Sequence, residues 1–389
     1  MTADRRSWLV LADGWLTERN AKTAHGVIRY GREPVVAVID RDHAGRSLAD
    51  VMPELGRDAP IVGSVDEALA YGPSSLLVGV ATAGGWMPPE WRPWVVQAIE
   101  AGLEIASGLH RFLRDDPEFV ELARAHDVTL WDVRDPPSDI PLFSGRCLSR
   151  HKKIVLTVGS DCAVGKMTAA LELNAAARAA GHSTQFVATG QTGVLIAGSG
   201  ICVDRVISDF VAGAAEQLVC ETHPATDVVV VEGQGSLWHP AYSGVTLGLL
   251  HGSTPHALVL CHQAGRVAID EPPHTRLPPL TEMIRVYEEA AATVRPARVA
   301  CVAVNCSGLS HDEARAELDR TEEATGLPAG DVFSGDAPKL WAAIDESLAG
   351  RARPGREPDA GRARPEGEPD AGRARPDGEP DADVRPQPA

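Results

Sequence analysis

The chain has 389 residues, enough for two domains of ordinary size, and its 44% apolar and 23% charged residues are the balance of a soluble globular protein. A net charge of -17 argues against a nucleic-acid partner, because phosphate backbones require a basic surface. The longest apolar run in the body is Val228 to Val231, far short of a membrane span, and seven cysteines without a Cys-x-x-Cys pair argue against a disulfide framework or zinc ribbon and for a reducing cytoplasm.

The opening MTADRRSWLVLADGWL has a brief apolar patch interrupted by Asp13, with no small-residue cleavage site after it. It reads as part of the fold rather than as a signal peptide. Residues 1–145 then alternate strand and helix: PVVAVID at 34–40, SLLVGVA at 75–81, a helix over 91–102, LEIASG, a helix near PEFVELARAHD and the short strand VTLWDV. That rhythm predicts an α/β domain with a Rossmann-like parallel sheet. No G-x-G-x-x-G precedes the strand that ends at Asp40, so NAD is not expected there. Two roles are open to this domain, shaping a substrate pocket or making a homo-oligomer contact. KTAHG at 22–26 is either a segment that reaches the active cleft or a structural loop. Pro136, Pro137 and Pro141 with Gly145 mark the boundary.

Residues 146–350 repeat the rhythm as a P-loop-type α/β domain. IVLTV is a buried strand, followed by the loop GSDCAVGKMT at 159–168 and a helix ending at Gly181. Further strands are TQFVAT, DVVVVEG, ALVLCH and RVACVAVN. Helices are expected over LTEMIRVYEEAAATV and over SHDEARAELDRTEEATG, the latter with Ser310 and Glu313 at capping-box spacing. From Arg351 to 389 an 11-residue Arg/Pro/Glu/Asp repeat has almost nothing to bury, and its prolines forbid a helix; a disordered tail is expected.

Four segments carry candidate chemistry. In the loop, Gly159, Ser160, Asp161, Gly165, Lys166, Met167 and Thr168 stand where backbone N–H groups at a helix start and a lysine ammonium hold phosphate. An ATP-cleaving loop has the form G-x-x-x-x-G-K-[ST]. Here Ser160 replaces the first glycine and Met167 separates Lys166 from the hydroxyl of Thr168. In FVATGQTGVLIAG a strand ends in a glycine-bracketed polar turn with Thr189, Gln191 and Thr192, and VDRVISDF places Asp204 and Asp209 five apart. DVVVVEGQGSLWH delivers Glu232, Gln234 and His239 to the sheet's carboxyl edge, where α/β proteins bind ligands. Glu232 there is a general base, a magnesium partner or a turn former. LCHQAGR ends another strand with His262 and Arg266, the latter suited to a carboxylate or to an ion pair.

On these segments, and on KTAHGVIRYGREPVVAVIDRDHAG, the sequence resembles the DgcN family, typified by D-glutamate N-acetyltransferase, over roughly residues 8 to 345. More distantly, the loop and EGQG are similar to dethiobiotin synthetase. The first resemblance implies acetyl transfer from acetyl-CoA to the amino group of an acidic amino acid, with no metal required. Coenzyme A offers phosphates to grip and no γ-phosphoryl to cleave, which suits a loop with Met167 after the lysine. In that scheme the 159–168 loop holds CoA and Glu232, with Asp209 or His239 behind it, takes the ammonium proton. Gln191, Gln234 or backbone N–H groups stabilise the oxyanion, and Arg266 grips a substrate carboxylate. A covalent route through Cys162 is disfavoured because no histidine lies nearby in sequence to activate the thiol. The competing readings are an ATP-dependent kinase or ligase of the dethiobiotin synthetase type and a nucleotide-sensing switch.

Overall fold

The structure is a computed structural model describing residues 6–350, apart from 83, 150 and 271–274. The repeat tail expected to be disordered lies outside the described residues.

Two six-stranded sheets organise the chain, and every strand pairing within them is parallel. The first contains β1 (Trp8–Leu11), β2 (Val35–Ile39), β3 (Ile61–Val62), β4 (Ser75–Val78), β5 (Glu104–Ser107) and β6 (Leu130–Asp132). Its order, β3-β2-β1-β4-β5-β6, is that of a dinucleotide-binding Rossmann sheet even though the glycine fingerprint is missing. The apolar patch read in the opening stretch is its central strand β1, buried at every residue.

The second sheet contains β7 (Lys153–Gly159), β8 (Thr184–Val187), β9 (Val228–Val231), β10 (Ala257–Gln263), β11 (Arg298–Asn305) and β12 (Ala329–Gly330), in the order β12-β11-β10-β7-β9-β8. Strand β9 is four valines, none more than 3% exposed, because helices cover both faces of the sheet. Burying each such side chain contributes roughly 1.5–3 kcal/mol before entropy is counted. Local chemistry ends the helices as the sequence suggests. The helix His311–Thr325 opens with a reciprocal capping box between Ser310 and Glu313 and stops at Gly326, whose φ of 66° is left-handed.

A parallel sheet delivers all its strand ends to one edge, and here the two carboxyl edges meet. Just past β1, the helix Lys22–Tyr30 packs on the helix Gln191–Ala197 that follows β8, with Thr23 Oγ1 3.3 Å from Thr192 Oγ1. Just past β5, Gly108 lies so close to Gln191 that a Cβ would fall 2.6 Å from its Cγ. Just past β6, Val133 accepts from the Cys202 thiol at 3.3 Å. The KTAHG segment is therefore the first turn of an interdomain helix. One apolar cluster runs through the seam, from Val10, Ala24, Val27 and Ile28 of the first sheet's layer to Val194, Leu195, Ile196 and Met167 of the second.

Gly26 sits where the two helices are closest, since a Cβ there would lie 2.4 Å from Thr192 Cγ2 and 3.2 Å from Met167 Cε. Gly26→Val is expected to cost about 1–3 kcal/mol by overpacking, measured by urea unfolding. Unchanged stability would mean that the helices do not hold this separation.

Candidate active site

The loop after β7 is held by bonds to its own backbone. Tyr287 donates to Gly159 O at 2.7 Å, Ser236 donates to Ser160 O at 3.0 Å, and Ser160 N–H reaches Cys261 O at 2.9 Å. The Ser160 hydroxyl, in the place of the usual first glycine, is buried 2.9 Å from His262 Nδ1. Ala163 (φ 53°) and Gly165 (φ 100°) adopt left-handed backbone, which turns the chain into the helix Lys166–Ala179. Lys166 folds back over the loop, and its Nζ donates to Asp161 O at 2.7 Å. That path needs Gly159, because a Cβ there would lie 2.7 Å from Nζ. Burial lowers the ammonium pKa, so an anion arriving at the loop meets a poorly solvated cation. A glycine-lined turn with a buried lysine and N–H groups at a helix start suits a phosphate group. The Met167 side chain points away from this work, into the seam against the 22–30 helix, while Thr168 is buried one position further along the helix.

Beside the loop, Glu232 at the end of β9 is buried, and its Oε2 accepts from Thr189 N at 2.9 Å and Gly190 N at 3.1 Å. Gly193 leaves it room, since a Cβ there would fall 2.3 Å from Oε2. Burial raises the carboxyl pKa to about 7 even though the two N–H groups pull it down. Gln234 donates to Thr189 Oγ1 at 3.2 Å, and Thr189 Oγ1 donates to Glu232 O at 2.6 Å. The turn bracketed by Gly190 and Gly193 is the start of a helix, so its N–H groups point at the carboxylate.

Two predicted residues are already engaged by neighbours. Arg266 donates to Asp161 Oδ2 at 2.5 Å and to Gln263 Oε1 at 2.6 Å, so a substrate carboxylate would have to compete for its guanidinium. Asp161 also takes Cys162 N–H and Asp270 N–H. Gln191 is buried with its Oε1 accepting from Arg134 Nη2 at 2.7 Å, leaving its amide nitrogen to donate. Asp204 and Asp209 do not act as a pair. Asp204 is bound by Arg134, while Asp209 is exposed in the single turn Ser208–Phe210 and makes none of these contacts.

His239 is buried beside Tyr242, their ring centres 4.4 Å apart. One ligand-type atom each from Asp161, Cys162 and His239 lie within 4.8 Å of one another. The histidine that the thiol lacks in sequence is thus supplied by the fold. Two further cations went unread in the sequence. Arg134 spans the seam, binding Gly108 O, Asp204 and Gln191, and Lys22 stands on the first sheet's side of the loop. The segment KTAHG carried a hint of Lys22. Nothing around Arg134, in WDVRDPP, did.

Among the described residues no helix is long and apolar enough to cross a membrane. Residues 141–341 match a P-loop domain, and residues 41–136 a Rossmann-like domain, of the family called domain of unknown function DUF1611. A D-glutamate N-acetyltransferase of Tritonibacter scottomollicae is 41% identical over 282 residues, which span 72% of this chain and 84% of the relative. A second D-glutamate N-acetyltransferase, from a Pseudoalteromonas species, is 40% identical over 69% of this chain and 80% of its own length. The crystal structure of a DUF1611 family protein from Anabaena variabilis aligns with a TM-score of 0.84 at 38% identity, covering 88% of this chain and 100% of that one. The resemblance read from the motif segments stands: the chain belongs to the DUF1611 family and is about 40% identical to two D-glutamate N-acetyltransferases.

Proposed function

We propose that this protein transfers the acetyl group of acetyl-CoA to the amino group of D-glutamate or a related acidic amino acid. The observation that carries the reading is the likeness to two D-glutamate N-acetyltransferases, which extends over most of both chains. The site's chemistry supports it. Acetyl-CoA brings an activated thioester and anionic phosphates. Gly165, Lys166 and the loop N–H groups are the groups suited to those phosphates. The amino acid arrives as an ammonium, which must lose a proton before its nitrogen attacks the thioester carbonyl. Glu232 is poised for that step, because a carboxyl with a pKa of about 7 is partly ionised at neutral pH and still basic enough to accept a proton. Attack forms the amide bond, breaks the carbon–sulfur bond and releases CoA thiol. Gln191, Gln234 or backbone N–H groups of the glycine turns would stabilise the oxyanion.

A second route has one observation in its favour, the approach of His239 to Cys162. In it the Cys162 thiolate would take the acetyl group first and pass it to the amine. Burial raises the thiol pKa, with Lys166 opposing, so direct transfer is the proposed route.

With D-glutamate and acetyl-CoA present and ATP and magnesium absent, free thiol should appear stoichiometrically with N-acetylglutamate. ATP turnover without thiol release would instead favour a ligase or kinase. Direct transfer predicts an unmodified Cys162 peptide in the mass spectrum after incubation with acetyl-CoA alone, and S-acetylation of that peptide at a catalytically competent rate would select the covalent route. Because the base must be ionised, kcat/KM should rise with pH through about 7 and level off above it. Glu232→Gln keeps an oxygen for the Thr189 and Gly190 N–H groups, so it should fold normally yet lose about 10²–10⁴-fold in rate. A Glu232→Gln enzyme with wild-type rate and pH profile would remove the carboxylate from the reaction.

A further inference from the structure

Four cations at the seam are engaged by oxygens of the protein. Arg134 is paired with Asp204, Arg19 with Asp270 at 2.5 Å, Arg266 with Asp161, and Lys166 rests on a backbone carbonyl. Lys22, at the first position of the 22–30 helix, has no hydrogen-bond or ion-pair partner among the described residues. Its electrostatic neighbours include Arg134, Arg19, Lys166 and the Cys162 thiol. In a chain with 54 acidic against 37 basic residues, a lysine left among three other cations is an uncompensated positive point. Its side chain is solvent-exposed, yet enough protein surrounds it that desolvation lowers its pKa.

We propose that Lys22 is the residue through which the Rossmann-like domain binds substrate, its ammonium holding a carboxylate of the amino acid acceptor opposite the phosphate loop. The P-loop domain has its own lysine for phosphates in Lys166, whereas the guanidinium it would offer a carboxylate, that of Arg266, is bound to Asp161. Lys22 enters from the other domain, facing Cys162 at the turn of the loop. An acidic amino acid bound there is clasped between the two domains, with its amine toward the thioester. The assignment to a carboxylate rests on the acetyltransferase reading, whereas the presence of an anion subsite does not.

Lys22→Gln removes the charge, and loss of one charge-assisted hydrogen bond is expected to raise KM for D-glutamate by about 10–100-fold while KM for acetyl-CoA stays within about twofold. Lys22→Arg should restore much of the loss, and the thermal midpoint of both variants should match wild type because the side chain is exposed. A rise confined to acetyl-CoA, or no change in either KM, would overturn the carboxylate assignment. A readout independent of turnover is reductive methylation of Lys22 followed by peptide mass spectrometry. D-glutamate should slow modification of Lys22 relative to exposed lysines. If the wild-type chain acetylates nothing, the acetyltransferase reading fails by itself and the labelling decides the subsite. Protection by D-glutamate or inorganic phosphate then sustains an anion site, and equal labelling with D-glutamate, phosphate, CoA or no addition refutes it.

Discussion

The structure depends on the meeting of two parallel sheets at their carboxyl edges. Strands in a parallel sheet all finish on the same side, so the loops that follow them, with their free N–H groups and polar side chains, gather at one edge. Setting two such edges against each other concentrates that chemistry in one seam and removes it from bulk water. The contact that permits this is narrow: Gly26 against Thr192 and Met167, Thr23 against Thr192, and Gly108 against Gln191. Small residues on the Rossmann-like side let the helices after β1 and β8 approach, and an apolar cluster shared by both layers holds them there.

The seam shapes the electrostatics as well. Glu232 is an ordinary acid at a strand end until the helix Gln191–Ala197 closes over it, because burial raises its pKa while the Thr189 and Gly190 N–H groups keep the ionised form within reach. Lys166 is pressed in the opposite direction by the same loss of water. Desolvation thus pushes the acid's pKa up and the ammonium's down, each toward its uncharged form. Around them an acidic protein has collected five cations, Arg19, Lys22, Arg134, Lys166 and Arg266, and supplied carboxylates to three. In a chain with a net charge of -17, these five cations gather at the seam.

Met167 shows how one substitution in a motif serves architecture. In an ATP-cleaving loop the residue after the lysine supplies a hydroxyl to magnesium. Here that position faces the neighbouring domain, and a thioether fills the irregular gap beside Gly26. The departure that looked chemical in the sequence has a packing role in the fold. On the acyl-transfer reading the two are compatible, because a cofactor whose phosphates stay intact needs no hydroxyl there.

Much of this was legible beforehand because its causes are local. Valine-rich runs bounded by glycines specify buried parallel strands, Ser310 and Glu313 specify a helix start, and the loop at 159–168 specifies a glycine turn into a helix, whatever lies elsewhere in the chain. Glu232, Gln191 and Gln234 were legible as candidates because strand ends are where α/β sheets present side chains. The rest depends on residues distant in sequence. The pairing of Arg266 with Asp161, of Arg134 with Asp204 and Gln191, and the approach of His239 to Cys162 join positions 57 to 105 residues apart. Lys22 faces Lys166 only because the sheets meet edge to edge. Periodicity and turn chemistry act over a few residues, so the sequence by itself determined the elements and the glycine turn between β7 and its helix. Which charges are neutralised, which acid is desolvated and which lysine is left without an ion pair are set by long-range packing, and only the tertiary structure decided them.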